Sequence, residues 1–152
     1  MSKQLYPPLQ DEVNNISEDS APPKPFMDRV AILLCTYNGS AFLEQQLESF
    51  ASQTHDSWVI YASDDGSSDE TLDILTGFQT KYGQDRLTVC NGPRQGFAKN
   101  FMSLVKNHTI TADYFAFSDQ DDIWLEDKLE RSIAKLAGSP QGVRSEERRV
   151  GK

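Results

Sequence analysis

Four times between residues 30 and 137, a short apolar run gives way to a stretch whose apolar residues recur at helical spacing. VAILLC (30–35) is a continuous β-rich run, and WVIYAS (58–63), RLTVC (86–90) and YFAFS (114–118) repeat the signal. Between and after them come Leu43, Leu47, Phe50 and Ala51; then Leu72, Leu75 and Phe78; then Phe97, Phe101, Leu104 and Val105; and finally Leu125, Leu129, Ile133 and Leu136. Each set falls on one helical face. Ser67 and Glu70, three residues apart, have the spacing of a capping box at the start of the second helix. A strand that is apolar throughout has to be covered on both faces. The pattern therefore predicts an α/β fold, a mostly parallel, Rossmann-like sheet with helices on both faces and right-handed crossovers. Ligands of such folds sit outside the carboxyl ends of the strands.

The 152 residues, 38% hydrophobic and 25% charged, suit one domain. Residues 1–27 carry two Pro-Pro pairs and little apolar periodicity, and are read as a disordered leader. Residues 28–138 hold the strand and helix pattern. The closing RSEERRVGK has the look of translated adapter sequence, so 139–152 are read as a non-native tail. A net charge of −8 excludes a general nucleic-acid binder, which needs clustered Lys and Arg. The start of the chain lacks the apolar segment of a secretory signal, and no run approaches the length of a membrane span, so a cytoplasmic location is expected. Cys35 and Cys90 both close strand-like runs and are read as reduced core residues.

Three polar constellations fall at the predicted strand exits: TYNGS (36–40), DDGSSD (64–69) and DQDD (119–122). They are expected to share one crevice. In the last, Asp119, Asp121 and Asp122 follow a buried strand, where unpaired carboxylates are costly. A hard divalent cation such as Mg²⁺ or Mn²⁺ relieves that cost, because it takes one or two protein carboxylates and completes its shell from water and phosphate. The competing structural reading is that these aspartates cap the next helix. In SDDGSSD, Asp64 or Asp65 can accept hydrogen bonds from a nucleobase or ribose, or the segment is a plain turn. Thr36, Tyr37 and Asn38 can line a pocket or form ordinary turn structure. GPRQGFAKN (92–100) is no Walker A loop, though Arg94 or Lys99 could reach a diphosphate. Trp124 reads as an anchor for the last helix or as a ring beside a ligand. His55 and His108 receive no role.

LLCTYNGSAFLEQQLESFASQT, SDDGSSDET, GFAKNFMSLV and FSDQDDIWLEDKL, in this order and spacing, resemble the nucleotide-binding half of glycosyltransferase family 2, which has the GT-A fold. The resemblance spans roughly residues 29–137, and within the family it points toward rhamnosyltransferase-like enzymes of bacterial surface polysaccharides. It implies an inverting transfer of sugar from a nucleoside-diphosphate sugar donor to an acceptor hydroxyl on a saccharide or lipid-linked saccharide. Peripheral contact with the inner face of the membrane would follow from a lipid-linked acceptor. It also implies donor-binding roles for Thr36, Tyr37, Asn38, Asp64, Asp65, Lys99 and Asp119. Asp119-Gln120-Asp121 becomes the DxD motif, with Asp121, aided by Asp119, as ligand to Mn²⁺ or Mg²⁺.

In this family a later carboxylate serves as general base. This chain stops one helix beyond DxD, so no residue is assigned that role, and the domain is expected to be truncated on its C-terminal side. Two other readings stay open. A haloacid-dehalogenase-like phosphatase also ends an apolar strand in D-x-D, and a donor-binding module without catalysis would carry the same residues. An EF-hand is excluded, because Trp124 stands at the glycine position of the loop counted from Asp119.

Overall fold

The computed structural model describes residues 28–119 and 121–138. Gln120, the proposed leader 1–27 and the proposed tail 139–152 lie outside the described residues.

Strand β1 (Val30–Thr36) leads to helix α1 (Ser40–Ala51), β2 (Trp58–Asp64) to α2 (Thr71–Tyr82), β3 (Leu87–Asn91) to α3 (Phe97–Val105), and β4 (Tyr114–Ser118) to α4 (Lys128–Ala137). All pairings are parallel, in the order β3-β2-β1-β4. The chain thus steps outward from β1 to β3, then returns to the other side of β1 for β4. That reversal makes the carboxyl ends of β1 and β4 the switch point, where an open parallel sheet leaves a crevice.

All seven residues of β1 are buried. Successive side chains of a strand alternate faces, and Val30, Ile32 and Leu34 enter the larger core with Leu43, Leu47, Phe50, Leu75, Phe78, Leu129 and Ile133. Ala31, Leu33 and Cys35 enter a smaller core with Leu104 and Ile110. Helices α1, α2 and α4 therefore cover one face and α3 the other. Both cysteines are free, Cys35 buried and Cys90 half-buried.

Four details differ from the sequence expectation. Leu125 lies before α4 and is 72% exposed, so that helix buries Leu129 and Ile133 instead. Leu72 is exposed because Thr71, Leu75 and Phe78, at i, i+4 and i+7, take the inward face of α2. On α3, Phe97 and Val105 are exposed, while Asn100 and Leu104 point inward. Phe97 rests edge-on against Phe101, and Phe101 against Phe117. The capping box does not form either. Glu70 holds the N-cap position without a side-chain hydrogen bond, and Ser67 bonds Asp64. Nor do the DQDD aspartates cap α4, whose N-cap is Asp127.

Trp124 is buried against Phe50, with ring centroids 4.6 Å apart, which makes it the anchor that leads into α4. Among the described residues no helix is long and apolar enough to cross a membrane. Phe50→Ala should remove about 3–5 kcal/mol of stability through loss of burial and an unfilled cavity. Leu125→Ala should change it by no more than about 0.5 kcal/mol. Urea unfolding of the two variants checks the distinction.

Candidate functional site

A cleft of about 790 Å³ opens at the carboxyl edge of the sheet. Cys35, Thr36 and Tyr37 line it from the end of β1, Asp65 and Gly66 from the loop after β2, and Asp119 and Asp121 from beyond β4. Arg94, Gly96, Phe97 and Asn100 close its other side. The size suits a small-molecule site.

The cleft walls are held by two consecutive carboxylates. Asp64 Oδ1 accepts hydrogen bonds from the hydroxyls of Thr36 (2.8 Å) and Ser67 (2.6 Å), and Oδ2 accepts from the N–H groups of Gly66 (3.1 Å) and Ser67 (2.9 Å). Asp64 thus folds its own loop and ties it to β1. Asp65 turns the other way. Its Oδ1 accepts from the Arg94 N–H (2.5 Å) and its Oδ2 from the Gly96 N–H (3.1 Å), which fixes the loop that enters α3. Each oxygen keeps a further lone pair for a ligand donor.

Backbone bonds lock the strand exits together, from Asp65 N–H to the Thr36 carbonyl (3.0 Å) and from Gly92 N–H to the Asp64 carbonyl (2.7 Å). Asn100, buried on α3, donates from Nδ2 to the Ser63 carbonyl (2.9 Å) and accepts from the Ser63 hydroxyl (2.6 Å). Gly92 sits where no side chain fits. A Cβ there would lie 2.4 Å from Asn100 Oδ1 and 2.7 Å from Asp65 Oδ1.

Helix α1 has no side-chain cap of its own, because Gly39 occupies its N-cap position. The loop after β2 and the first residue of α2 supply acceptors for the N–H groups at its start. Asn38 N–H donates to the Ser67 hydroxyl (2.8 Å), Gly39 N–H to the Thr71 hydroxyl (2.9 Å) and Ser40 N–H to Asp69 Oδ2 (3.1 Å). Asn38, with φ of 49°, accepts in return from the Ser68 N–H at 2.8 Å. The bonds to Asp69, led by the Thr71 hydroxyl, hold its carboxyl down at about 2.

Of the residues singled out from sequence, Thr36, Tyr37, Asp65, Arg94, Asp119 and Asp121 line the cleft. Asp64 and Asn38 stand behind it and hold its loops. Lys99 is exposed on α3 and is not among the lining residues. From sequence, Cys35 has only a core role, and Asp69, Gly92 and Asn100 have no role of their own within their motifs. The one signal for Asn100 was a polar residue inside an apolar helical stripe. Burial pushes the Cys35 thiol up to about 12, and the negative charges of Asp65 and Asp119 add to the shift. That thiol stays protonated at neutral pH and is no nucleophile.

Among the described lining residues, three carboxylates face one guanidinium, that of Arg94. No group of three or more His, Cys, Asp or Glu side chains among the described residues could enclose a metal alone. A pair of aspartates entering an open cleft fits a different demand, that of Mg²⁺ or Mn²⁺ sharing its shell with a phosphate-bearing ligand. The residues present fit that kind of site.

Fold and cleft together define a parallel α/β protein with an acidic cleft at the switch point of its sheet. Residues 31–143 match the family model described as Glycosyl transferase family 2, and the chain belongs to that family. It is 40% identical over 102 residues to the dTDP-rhamnosyl transferase RfbG of Shigella flexneri, covering 66% of this chain and 35% of that protein. The mannosyltransferase PcManGT of Pyrobaculum calidifontis, solved with GDP-Man and Mn²⁺, superposes with a TM-score of 0.67 at 22% identity, over 80% of this chain and 36% of that one. Residues 1–349 of S. aureus TarS, solved with UDP-GlcNAc, give 0.63 at 23% identity, over 72% and 31%. These likenesses establish the GT-A fold. The chain spans about a third of the length of the curated relatives it matches.

Gly92→Ala should cost about 1–3 kcal/mol, because Asn100 and Asp65 must move to admit the methyl group; thermal unfolding measures it. Asp69 supplies an acid-sensitive contribution. Its folded carboxyl lies near 2 against an ordinary 3.8, so its stabilisation is full above 3.8 and is lost as the pH falls through 2. Asp69→Asn should flatten that part of the acid-unfolding curve followed by circular dichroism.

Proposed function

We propose that this chain forms the donor-binding part of an enzyme that transfers a sugar from a nucleoside-diphosphate sugar to an acceptor hydroxyl, in the synthesis of a cell-surface polysaccharide. The observation that carries the reading is the convergence of Asp65 from the exit of β2 and of Asp119 and Asp121 from the exit of β4 on one cleft with Thr36 and Tyr37 from the exit of β1. Family membership supplies the reaction class. The relative named a dTDP-rhamnosyl transferase makes a thymidine diphosphate the first donor nucleotide to test.

In this reading Asp65 meets the nucleobase, with Thr36 and the exposed Tyr37 ring bordering it. Asp64 and Asn38 act from behind by holding the loops. Arg94, and Lys99 if its side chain swings inward, face the diphosphate. Asp121, with Asp119, would hold Mn²⁺ or Mg²⁺, which when bound supplies positive charge for the departing diphosphate. The charge balance supports this, since a diphosphate entering beside three carboxylates needs a counter-charge that one arginine does not provide. Transfer proceeds with inversion. No described residue is assigned as the general base. The acceptor is a saccharide or a lipid-linked saccharide, and the protein works on the cytoplasmic side, at the inner face of the membrane when the acceptor is lipid-linked.

Calorimetric titration with dTDP, UDP and GDP, each with and without Mn²⁺, tests the reading. One nucleotide should bind with Mn²⁺ dependence, and Asp121→Asn should weaken that binding about 10-fold or more while leaving the metal-free affinity unchanged. Binding indifferent to both Mn²⁺ and Asp121 would remove the metal assignment. Absence of binding by every nucleotide to folded protein would remove the donor site.

A further inference from the structure

Gln46 and Ser49 of helix α1, with Gln53 just past its C-cap, face residues 118–129. Residues 119 and 121–127 belong to no strand or helix, so their backbone polar groups need other partners. These side chains supply several. Ser49 Oγ accepts from the Trp124 N–H (3.1 Å), Gln53 Nε2 donates to the Leu125 carbonyl (2.7 Å), and Gln53 Oε1 accepts from the Leu129 N–H (3.0 Å). At the other end of this rail, Gln46 Nε2 donates to the Ser118 hydroxyl (2.9 Å) and to the Asp119 carbonyl.

Gln46 is the unusual member. It is 0% exposed and stands among Leu43, Leu47 and Phe50 on the apolar face of α1. Its Oε1 is buried with no hydrogen-bond partner among the described residues. An orphaned buried acceptor is destabilising, and an apolar side chain of equal size would pack there without that cost. Packing therefore does not explain the amide. What it holds does, for its donor end grips the last residue of β4 and the carbonyl of the first aspartate in the cleft.

We propose that Gln46 is a positioning residue, whose buried amide fixes the exit of β4 so that Asp119 and Asp121 enter the cleft together, at the placement a divalent cation needs. This rests on the donor-site reading above. Gln46 touches neither nucleotide nor cation. It acts through the backbone of Asp119, as outer partners of metal ligands do.

The test uses the full chain with Gln46→Leu and the unbranched Gln46→Met, so that the question survives if one of them fails to fold. Gln53→Leu, which loosens the same rail at its far end, is the comparison. Three quantities are read: urea stability, nucleoside-diphosphate affinity in EDTA, and the Mn²⁺ concentration that gives half-maximal enhancement of that affinity, with Mn²⁺ binding followed by electron paramagnetic resonance. Because the lost orphan acceptor offsets the lost bonds, both Gln46 variants should lose less stability than Gln53→Leu and keep the EDTA affinity, while the Mn²⁺ requirement rises about 10-fold. Gln53→Leu should lose stability with its Mn²⁺ requirement unchanged.

A Mn²⁺ requirement within about twofold of wild type in either folded Gln46 variant overturns the assignment. So does a joint fall of stability, EDTA affinity and Mn²⁺ affinity, which marks a merely structural residue. If the unsubstituted chain binds nucleotide without Mn²⁺ enhancement, the metal assignment on which this proposal rests fails, and if it binds no nucleotide the donor-site reading fails, outcomes visible before any variant is made.

Discussion

The carboxyl edge of this sheet depends on Asp64 and Asp65, neighbours in the chain that work in opposite directions. Successive residues at a strand end face opposite ways, so one carboxylate reaches back to β1 and its own loop while the other reaches the loop after β3. Together they join the exits of three strands into one wall. Their four oxygens accept six hydrogen bonds from Thr36, Gly66, Ser67, Arg94 and Gly96. Charge-assisted bonds of this kind are stronger than those between neutral groups, which suits loops that have no hydrophobic core of their own.

The same economy of partners recurs around α1. Its entry is capped by Asp69 from the loop after β2 and Thr71 from the start of α2, and Gln46, with Gln53 just past its end, grips the end of β4 and the segment after it. One helix is thereby bonded to the two loops that carry the acidic residues of the cleft. This arrangement makes the cleft's geometry a property of α1 packing on the sheet. Phe50 and Trp124 extend the link into the larger core, so the acidic segment is seated by apolar contact as well as by hydrogen bonds.

Much of this was legible in the chain. Strand positions could be read to within a residue, because unbroken apolar runs allow no other burial, and the cleft lining could be read at Thr36, Tyr37, Asp65, Asp119 and Asp121, because polar clusters at strand exits of a parallel sheet converge. The helices were less legible. Leu72, Phe97, Val105 and Leu125 match a helical period as well as their buried neighbours do, and periodicity alone cannot say where a helix starts or which flank its neighbours cover. The capping box failed for a related reason. In a capping box the Ser67 oxygen would accept from an N–H of its own helix, but here it accepts from the Asn38 N–H while its proton goes to Asp64.

The sequence by itself determined the alternation of strand and helix, the parallel sheet that follows from it, and the acidic character of the crevice, since these depend on local pattern and on which side chains can be left in an apolar interior. Only the tertiary structure decided how the acidic residues divide their work. Asp64 and Asp65 look alike in SDDGSSD, yet one holds a loop from behind and the other lines the cleft. Gln46 reads as one polar residue on an apolar helix face until β4 is placed beside it. Those assignments depend on partners 28 to 73 residues away in the chain, and a hydrogen bond over that separation exists only once the sheet has brought its strand ends together.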